Sequence, residues 1–375
     1  MKVLIVFHDS NKSSGATRSM LDLMGTWRDY AGFELTAMFP STGTALEVTE
    51  NLGIKNIVFK YYNVRTEISS NCWTRKKAAL KRYISIINAL PLIKKLKAEH
   101  FDYIYSNTGA IYIGYDLSKI LQVKHIWHIR EFGALDQERM CYDGEKKFCE
   151  KLNDSKEVIA ISNAIKQYLL SIGVDDSRIS VIYNDVHSDI LYEKDLNSNI
   201  SEINILSCGG IQKNKGHLDV IKAVELLKDK YKIKLFIAGN SQTPYFSVLD
   251  DYVKAHNLGN IVTFCGFVRN MKELRNICSI AVIASSNEAF GRVTIEGMQG
   301  KMLVIGANAG GTAELIFSKK NGLLYPAGDF KELSNCIEYA VNNWHYMNEV
   351  IECGFEYAMQ FNCGKAAKKI FNLLQ

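Results

Sequence analysis

Two acids eight residues apart, Glu288 and Glu296, stand on either side of Phe290 and Gly291, directly after the apolar run 280–284. If a helix starts near Gly291, its first amides can receive a diphosphate, because unpaired N–H groups and the positive end of the helix dipole converge there. Glu296, about a turn and a half further in, can accept hydrogen bonds from ribose hydroxyls, and Glu288, ahead of the helix, from the hydroxyls of another sugar. A lone acid ahead of a helix is also explained by the dipole alone. A second group lies upstream: Cys208, Gly209 and Gly210 end an apolar run, Lys215 and Gly216 follow, and a helix begins near His217. Glycines allow a ligand to approach the backbone closely, and the lysine puts positive charge beside a helix start. An ordinary strand-to-helix turn with a solvated lysine accounts for the same residues.

Such groups need a scaffold, and the chain supplies an α/β one. Short runs that are apolar on both faces alternate with longer helical patterns: 3–7, 34–39, 57–59, 103–105, 125–129, 158–161 and 181–183, then 203–207, 234–238, 262–264, 280–284 and 302–305. Runs of this kind suit parallel strands, and two such series predict two doubly wound Rossmann-like sheets, with ligands outside the carboxyl ends of the strands. With 375 residues, two domains facing a cleft are expected. The polar, acidic stretch 187–202 reads as the linker, so the expected domains are 1–186 and 203–357, with 358–375 as a helix packing back toward the first.

Several alternatives fail on spacing. No G-x-G occurs, which removes the dinucleotide fingerprint, and no G-K-[ST] exists for a P-loop. The lack of a D-x-D triplet weakens a nucleotide site built on a divalent metal, so neither metal nor cofactor is expected and a phosphate must be held by amides, lysine and helix ends. Nine scattered cysteines without C-x-x-C pairing read as reduced thiols of a cytoplasmic protein. The start of the chain reads as a first strand rather than a signal peptide, and no apolar stretch is long enough to span a membrane. Any membrane contact would be peripheral.

Taken together these residues resemble the retaining GT-B glycosyltransferases of family 4, whose signature is E-x7-E after a strand, here Glu288 and Glu296. Asn184-Asp185-Val186 is similar to the family's N-G-V segment, and Gly209 with Lys215-Gly216 to its G-R-x4-K-G stretch. Gly239 and Gly266 fit strand-ending turns, Gly310-Gly311-Thr312-Ala313-Glu314 the G-G-x-x-E loop, and Asn321-Gly322-Leu323-Leu324 completes the series. In the first half, Ser14-Gly15-Ala16 resembles a G-G-A loop, and His128 stands where a strand-ending histidine faces the donor sugar. Two departures matter. Gly210 occupies the place of an arginine beside the diphosphate in many relatives, and Ser14 replaces the first loop glycine. Lys215 would then carry more of the phosphate charge, with Arg292 either compensating or lying on the helix surface.

The resemblance implies transfer of a sugar from a nucleotide donor, expected to be UDP-linked, to a glycan or lipid-linked acceptor in surface polysaccharide or glycolipid synthesis, with retention. It places Gly15, Gly209, Gly210, Lys215, Glu288, Phe290, Gly291, Arg292 and Glu296 at the donor, with His128, Lys215 and Glu288 in catalysis. Arg130 and Glu131 either face the acceptor or pair with each other on the rim. A sugar-nucleotide epimerase, a phosphorylase and a non-catalytic sugar-binding partner are the rival readings.

The net charge of +5 is uneven: from Tyr61 to Lys97 nine lysines and arginines stand against Glu67 alone, so this segment carries +8 and the remainder −3. Interleaved with Trp73, Tyr83, Ile84, Ile86, Ile87, Leu90 and Leu92, it is expected to lie on an anionic membrane surface; a solvated helical face is the competing reading, and nucleic acid is not indicated.

Overall fold

The computed structural model describes residues 1–187, 190, 194 and 202–375. They divide into two compact units, Met1–Asp185 with Gly364–Gln375, and Val186–Cys363.

The first unit contains β1 (Lys2–Val6), β2 (Glu34–Phe39), β3 (Lys55–Val58), β4 (Arg65–Glu67), β5 (Tyr103–Ser106), β6 (Lys124–Ile129), β7 (Arg139–Cys141), β8 (Glu157–Ala160) and β9 (Ile179–Val181). Seven of these form a parallel sheet in the order β3-β2-β1-β5-β6-β8-β9, while β4 and β7 pair antiparallel as a separate ribbon. Side chains of a strand alternate between faces, and β1 shows the consequence: Val3 and Ile5 belong to one core cluster, Leu4 and Val6 to another. A strand buried on both faces reads as an unbroken apolar run, which is why it was legible.

The second unit contains β10 (Ile203–Cys208), β11 (Ile233–Ala238), β12 (Val262–Gly266), β13 (Ile280–Ile283), β14 (Leu303–Ala307) and β15 (Leu323–Tyr325), ordered β12-β11-β10-β13-β14-β15. In each sheet the order reverses beside a central strand, at β1/β5 and at β10/β13. That is where a doubly wound sheet opens a crevice for ligands.

Three sequence expectations change. Residues 188–189, 191–193 and 195–201 of the expected linker lie outside the described residues. The first unit ends at Asp185 rather than 186, because the Val186 amide donates to Phe361 O and its carbonyl accepts Gln299 Nε2, both in the second unit. Only Gly364–Gln375 of the expected closing segment 358–375 joins the first unit. Its helix, Lys365–Leu374, buries Ala366, Ala367, Ile370 and Leu374 in the same cluster as Trp27, whose indole donates to Ala367 O at 2.8 Å. Asp185 supplies the cap: its carboxylate receives the Ala366 and Ala367 amides, each at 3.2 Å. The departure from N-G-V thus has a structural use.

The core also carries a titrating group. His125 is buried between the Ser106 and Ser155 hydroxyls at 2.8 and 3.0 Å, and burial pushes its pKa down to about 3. Below pH 6.5 the unfolded ring takes up a proton that the folded ring refuses, so stability falls as pH falls. From pH 6.5 toward 5 this ring alone costs about 1.4 kcal/mol per pH unit. Urea unfolding across that range should show a shallower slope for His125→Asn than for the parent.

Candidate functional site

The turn after β10 and the loop after β13 are built against each other. Gly216 has φ +68° and a side chain there would meet Ala284 O at 2.2 Å, so the Lys213–Lys215 turn sits directly on the end of β13. The Ser286 amide donates to Asn214 O at 3.1 Å and ties the same two segments. Lys215 is thereby held where its Nζ donates to Glu288 Oε2 at 2.8 Å, with 27% and 16% of the two side chains exposed. Gly216→Ala combines left-handed strain with backbone overlap, and a loss of about 2–3 kcal/mol in urea unfolding is expected.

The loop carrying Glu288 is braced from behind. Gly311 donates its amide to Glu288 O at 2.6 Å, and a Cβ on it would stand 2.4 Å from Phe290 O. Gly310, with φ +52°, makes an equally close approach to Glu288 O. The two glycines therefore set the position of Glu288 and Phe290. Phe290 itself is buried, its ring 6.0 Å from that of Phe361, so its side chain anchors the loop.

Gly291, at φ +99°, precedes the helix Arg292–Gln299, as the spacing predicted. Glu296 on that helix is buried and receives two arginines: Arg275 Nη2 at 2.7 Å on Oε2 and Arg292 Nε at 3.1 Å on Oε1. Arg292, expected beside a diphosphate or idle on the helix surface, is not idle: it is an i,i+4 partner of Glu296 and donates to His187 O at 3.4 Å as well. Arg275 was not found from the sequence. It lies on the short helix Lys272–Ile277, 21 residues before its partner, and no local pattern links the two.

At the end of β10, Gly209 has φ +150°, and a side chain on Gly239 would meet its carbonyl at 2.0 Å. Gly210 is under no such constraint, since its Cβ position meets nothing nearer than 3.9 Å. The buried His217 ring below accepts or donates to Ser207 Oγ at 2.9 Å, and burial pushes its pKa down to about 4, so it is neutral at physiological pH. Cys208 is no nucleophile, because burial pushes its thiol up to about 12.

The first unit presents a separate polar cluster at the ends of β1, β5 and β6. His128 is buried; its Nδ1 lies 2.6 Å from the Tyr105 hydroxyl and 3.1 Å from Arg130 Nη2. An arginine can only donate, so Nδ1 accepts and the ring proton sits on Nε2. Burial, reinforced by the Arg130 charge, holds His128 neutral, well below its ordinary pKa.

Arg130 and Glu131 are buried rather than exposed on a rim, and side-chain partners of each lie on other elements. Arg130 donates to Asn107 Oδ1 at 2.8 Å and Asn184 Oδ1 at 2.5 Å. Glu131 pairs with the buried Arg65 at 3.1 Å and accepts the Gly109 and Arg130 amides. Both side chains are almost wholly buried, so they shape the loop after β6.

Gly15 opens the helix Gly15–Trp27 with free space at its Cβ position. Beside it stands a pair that no motif marks, His8 and Asp9. Burial alone would raise the Asp9 pKa, but the His8 ring at 3.0 Å and the Thr17 hydroxyl at 2.7 Å hold it down to about 2. Two polar residues directly after an apolar strand, at a switch point, were the available signal.

Residues 190–357 match the family described as glycosyl transferases group 1, and residues 13–189 match glycosyltransferase family 4. An uncharacterized glycosyltransferase of Methanocaldococcus jannaschii is 27% identical over 303 residues, covering 77% of this chain and 80% of its own length. The capsular polysaccharide biosynthesis glycosyltransferase CapM of Staphylococcus aureus is 26% identical over 200 residues, 50% of this chain and 52% of its own. Among solved structures, Anabaena HepE in complex with UDP superposes with a TM-score of 0.80 at 22% identity, covering 100% of this chain and 99% of HepE. The two parallel sheets, each matched by its own family and both by the GT-B architecture of such neighbours, establish that the chain belongs to the group 1 glycosyltransferases and has the GT-B fold.

Proposed function

We propose that this protein is a retaining glycosyltransferase that moves a sugar from a UDP-linked donor to a glycan or lipid-linked acceptor in surface polysaccharide or glycolipid synthesis, at the cytoplasmic face of a membrane. The observation that carries the reading is the 2.8 Å pairing of Lys215 with Glu288, beside a helix start at Gly291. In the absence of donor each charge of this pair answers the other. A bound diphosphate takes the ammonium as its partner and leaves Glu288 to accept hydrogen bonds from hydroxyls of the transferred sugar. The solved complex of HepE with UDP and the capsular role named for CapM favour the nucleotide and the pathway class.

Breaking the bond between the anomeric carbon and the phosphate oxygen leaves its electron pair on the diphosphate. Lys215 and the amides after Gly291 stabilise that charge more in the transition state than in the bound donor. The acceptor oxygen bonds to the anomeric carbon on the face that the diphosphate leaves, and its proton passes to the departing phosphate oxygen. Glu296, steadied by Arg275 and Arg292, holds the ribose, and no metal is required. Gly15 gives close approach at the start of the first helix, and the neutral His128 offers its Nε2–H to a sugar hydroxyl.

Incubation with a panel of nucleotide sugars and glycan or lipid-linked acceptors, reading nucleotide diphosphate release and the anomeric configuration of the product, tests the proposal. Release dependent on acceptor, with an unchanged anomeric configuration, is expected. An inverted product would overturn retention, and sugar isomerised or phosphorolysed without an acceptor would replace transfer altogether.

A further inference from the structure

The basic segment of the first unit folds largely into one 27-residue helix, Cys72–Ala98, and that helix has two opposed apolar faces. Its inner face buries Ala78, Ser85, Ala89 and Leu96. Arg82, on the same side, clasps Asp116 with Nε at 3.0 Å and Nη2 at 2.5 Å. Ser85 receives the Tyr62 amide at 3.1 Å. The helix is therefore fixed in rotation about its own axis.

Its outer face is then unexpectedly apolar. Trp73, Leu80, Tyr83, Ile87 and Leu90 are 65%, 59%, 62%, 60% and 56% exposed, the largest such series among the described residues. At about 100° per residue these five fall within roughly 100° of arc and along some 25 Å of helix. Lys77, Lys81 and Lys95 follow one edge of that stripe, while Lys76 and Lys94 stand near its ends, and all five are exposed. Lys77 lies 5.1 Å from the centre of the Trp73 ring, so even the aromatic anchor is bordered by charge. A solvated helix would carry polar residues at these positions, and no acid on this helix neutralises its lysines, so the face offers uncompensated positive charge beside apolar side chains, the complement of an anionic interface.

We propose that this outer face docks on an anionic lipid surface, with the aromatic and aliphatic side chains entering the interface and the lysines meeting the headgroups. The inference gives the proposed glycosyltransferase a partner surface, and rests on that reading only for its purpose: a lipid-linked acceptor would be reached there. No described helix is long and apolar enough to cross a membrane, so attachment through this face is reversible and lies along the surface. The charge asymmetry fits, because the segment 61–97 carries +8 while the rest of the chain is net negative.

The full-length protein should co-sediment with vesicles containing phosphatidylglycerol and much less with phosphatidylcholine alone, and added salt should weaken the binding. Each of Leu80→Glu and Ile87→Glu should lower partition by about tenfold or more without moving the melting temperature, since both side chains are exposed. Trp73 emission should shift to the blue on anionic vesicles, read as the difference from Trp73→Phe. Equal binding to both kinds of vesicle, or stripe variants that bind like the parent, would overturn the proposal. So would a concentration-dependent dimer that the same substitutions dissolve without any lipid binding. No donor or acceptor enters the assay, so its failure leaves the transfer reaction standing, and an inactive protein that still binds leaves the docking face standing.

Discussion

Lys215→Ala is expected to lower kcat/KM for sugar transfer by about 10²–10³-fold while leaving the melting temperature almost unchanged. The rate effect follows from removing one preorganised positive donor aimed at a leaving group that gains charge as the bond breaks. The small stability effect follows from the exposure of the pair: with 27% of Lys215 and 16% of Glu288 reached by solvent, their mutual attraction is screened and is worth about 1 kcal/mol or less. Lys215→Arg should recover part of the rate, because the charge returns but a planar fork replaces a compact ammonium. Steady-state kinetics and a thermal melt on the same three proteins separate this account from a merely structural lysine, which would lower the melt and the rate together.

Glu296→Ala should do the reverse of a clean active-site substitution. Its carboxylate neutralises Arg275 and Arg292, whose side chains are only 6% and 15% exposed. Deleting it leaves two buried cations facing each other's field, which for a broken buried pair costs about 3–5 kcal/mol. A domain of this size should then melt roughly 10 °C lower. Donor affinity falls too, but it must be read well below the new transition. Glu296→Met combined with Arg275→Met should cost less than the sum of the two single changes, since the double change removes both members of the 2.7 Å pair and Arg275 is no longer left facing an empty place. Additive losses would mean that the 2.7 Å contact contributes nothing.

These two residues also show what the sequence can and cannot carry. The acids eight apart, the lysine before a helix and the glycines that turn each strand are local patterns, and the fold brings Lys215, Glu288 and the helix start at Gly291 to one sheet end. The strands were readable because burial on both faces removes polar residues from them. The three-residue β4 and β7, reading Arg-Thr-Glu and Arg-Met-Cys, have no such run, and β15 was seen only as part of a loop motif. Partners far apart in sequence were the real loss. Arg275 for Glu296, Arg65 for Glu131 and Asn184 for Arg130 become neighbours only when each unit folds, so these ties could not be read from local patterns. In Cys72–Ala98 the apolar residues were legible but not the side each one faces: Leu80 joins Trp73, Tyr83, Ile87 and Leu90 outside while Ile84, Ile86 and Leu92 are partly buried, and with apolar residues on both sides the helix has no dominant polar side to reveal its orientation.

Titration calorimetry of UDP, with GDP, ADP and TDP alongside, tests the central claim most directly, using the parent, Lys215→Ala and the neighbouring exposed Lys213→Ala. For whichever nucleotide binds, the account predicts about tenfold or greater weakening for Lys215→Ala and affinity close to the parent for Lys213→Ala. Equal affinities in all three proteins would contradict it, because the diphosphate would then be held by something other than the ammonium that Glu288 now keeps in place.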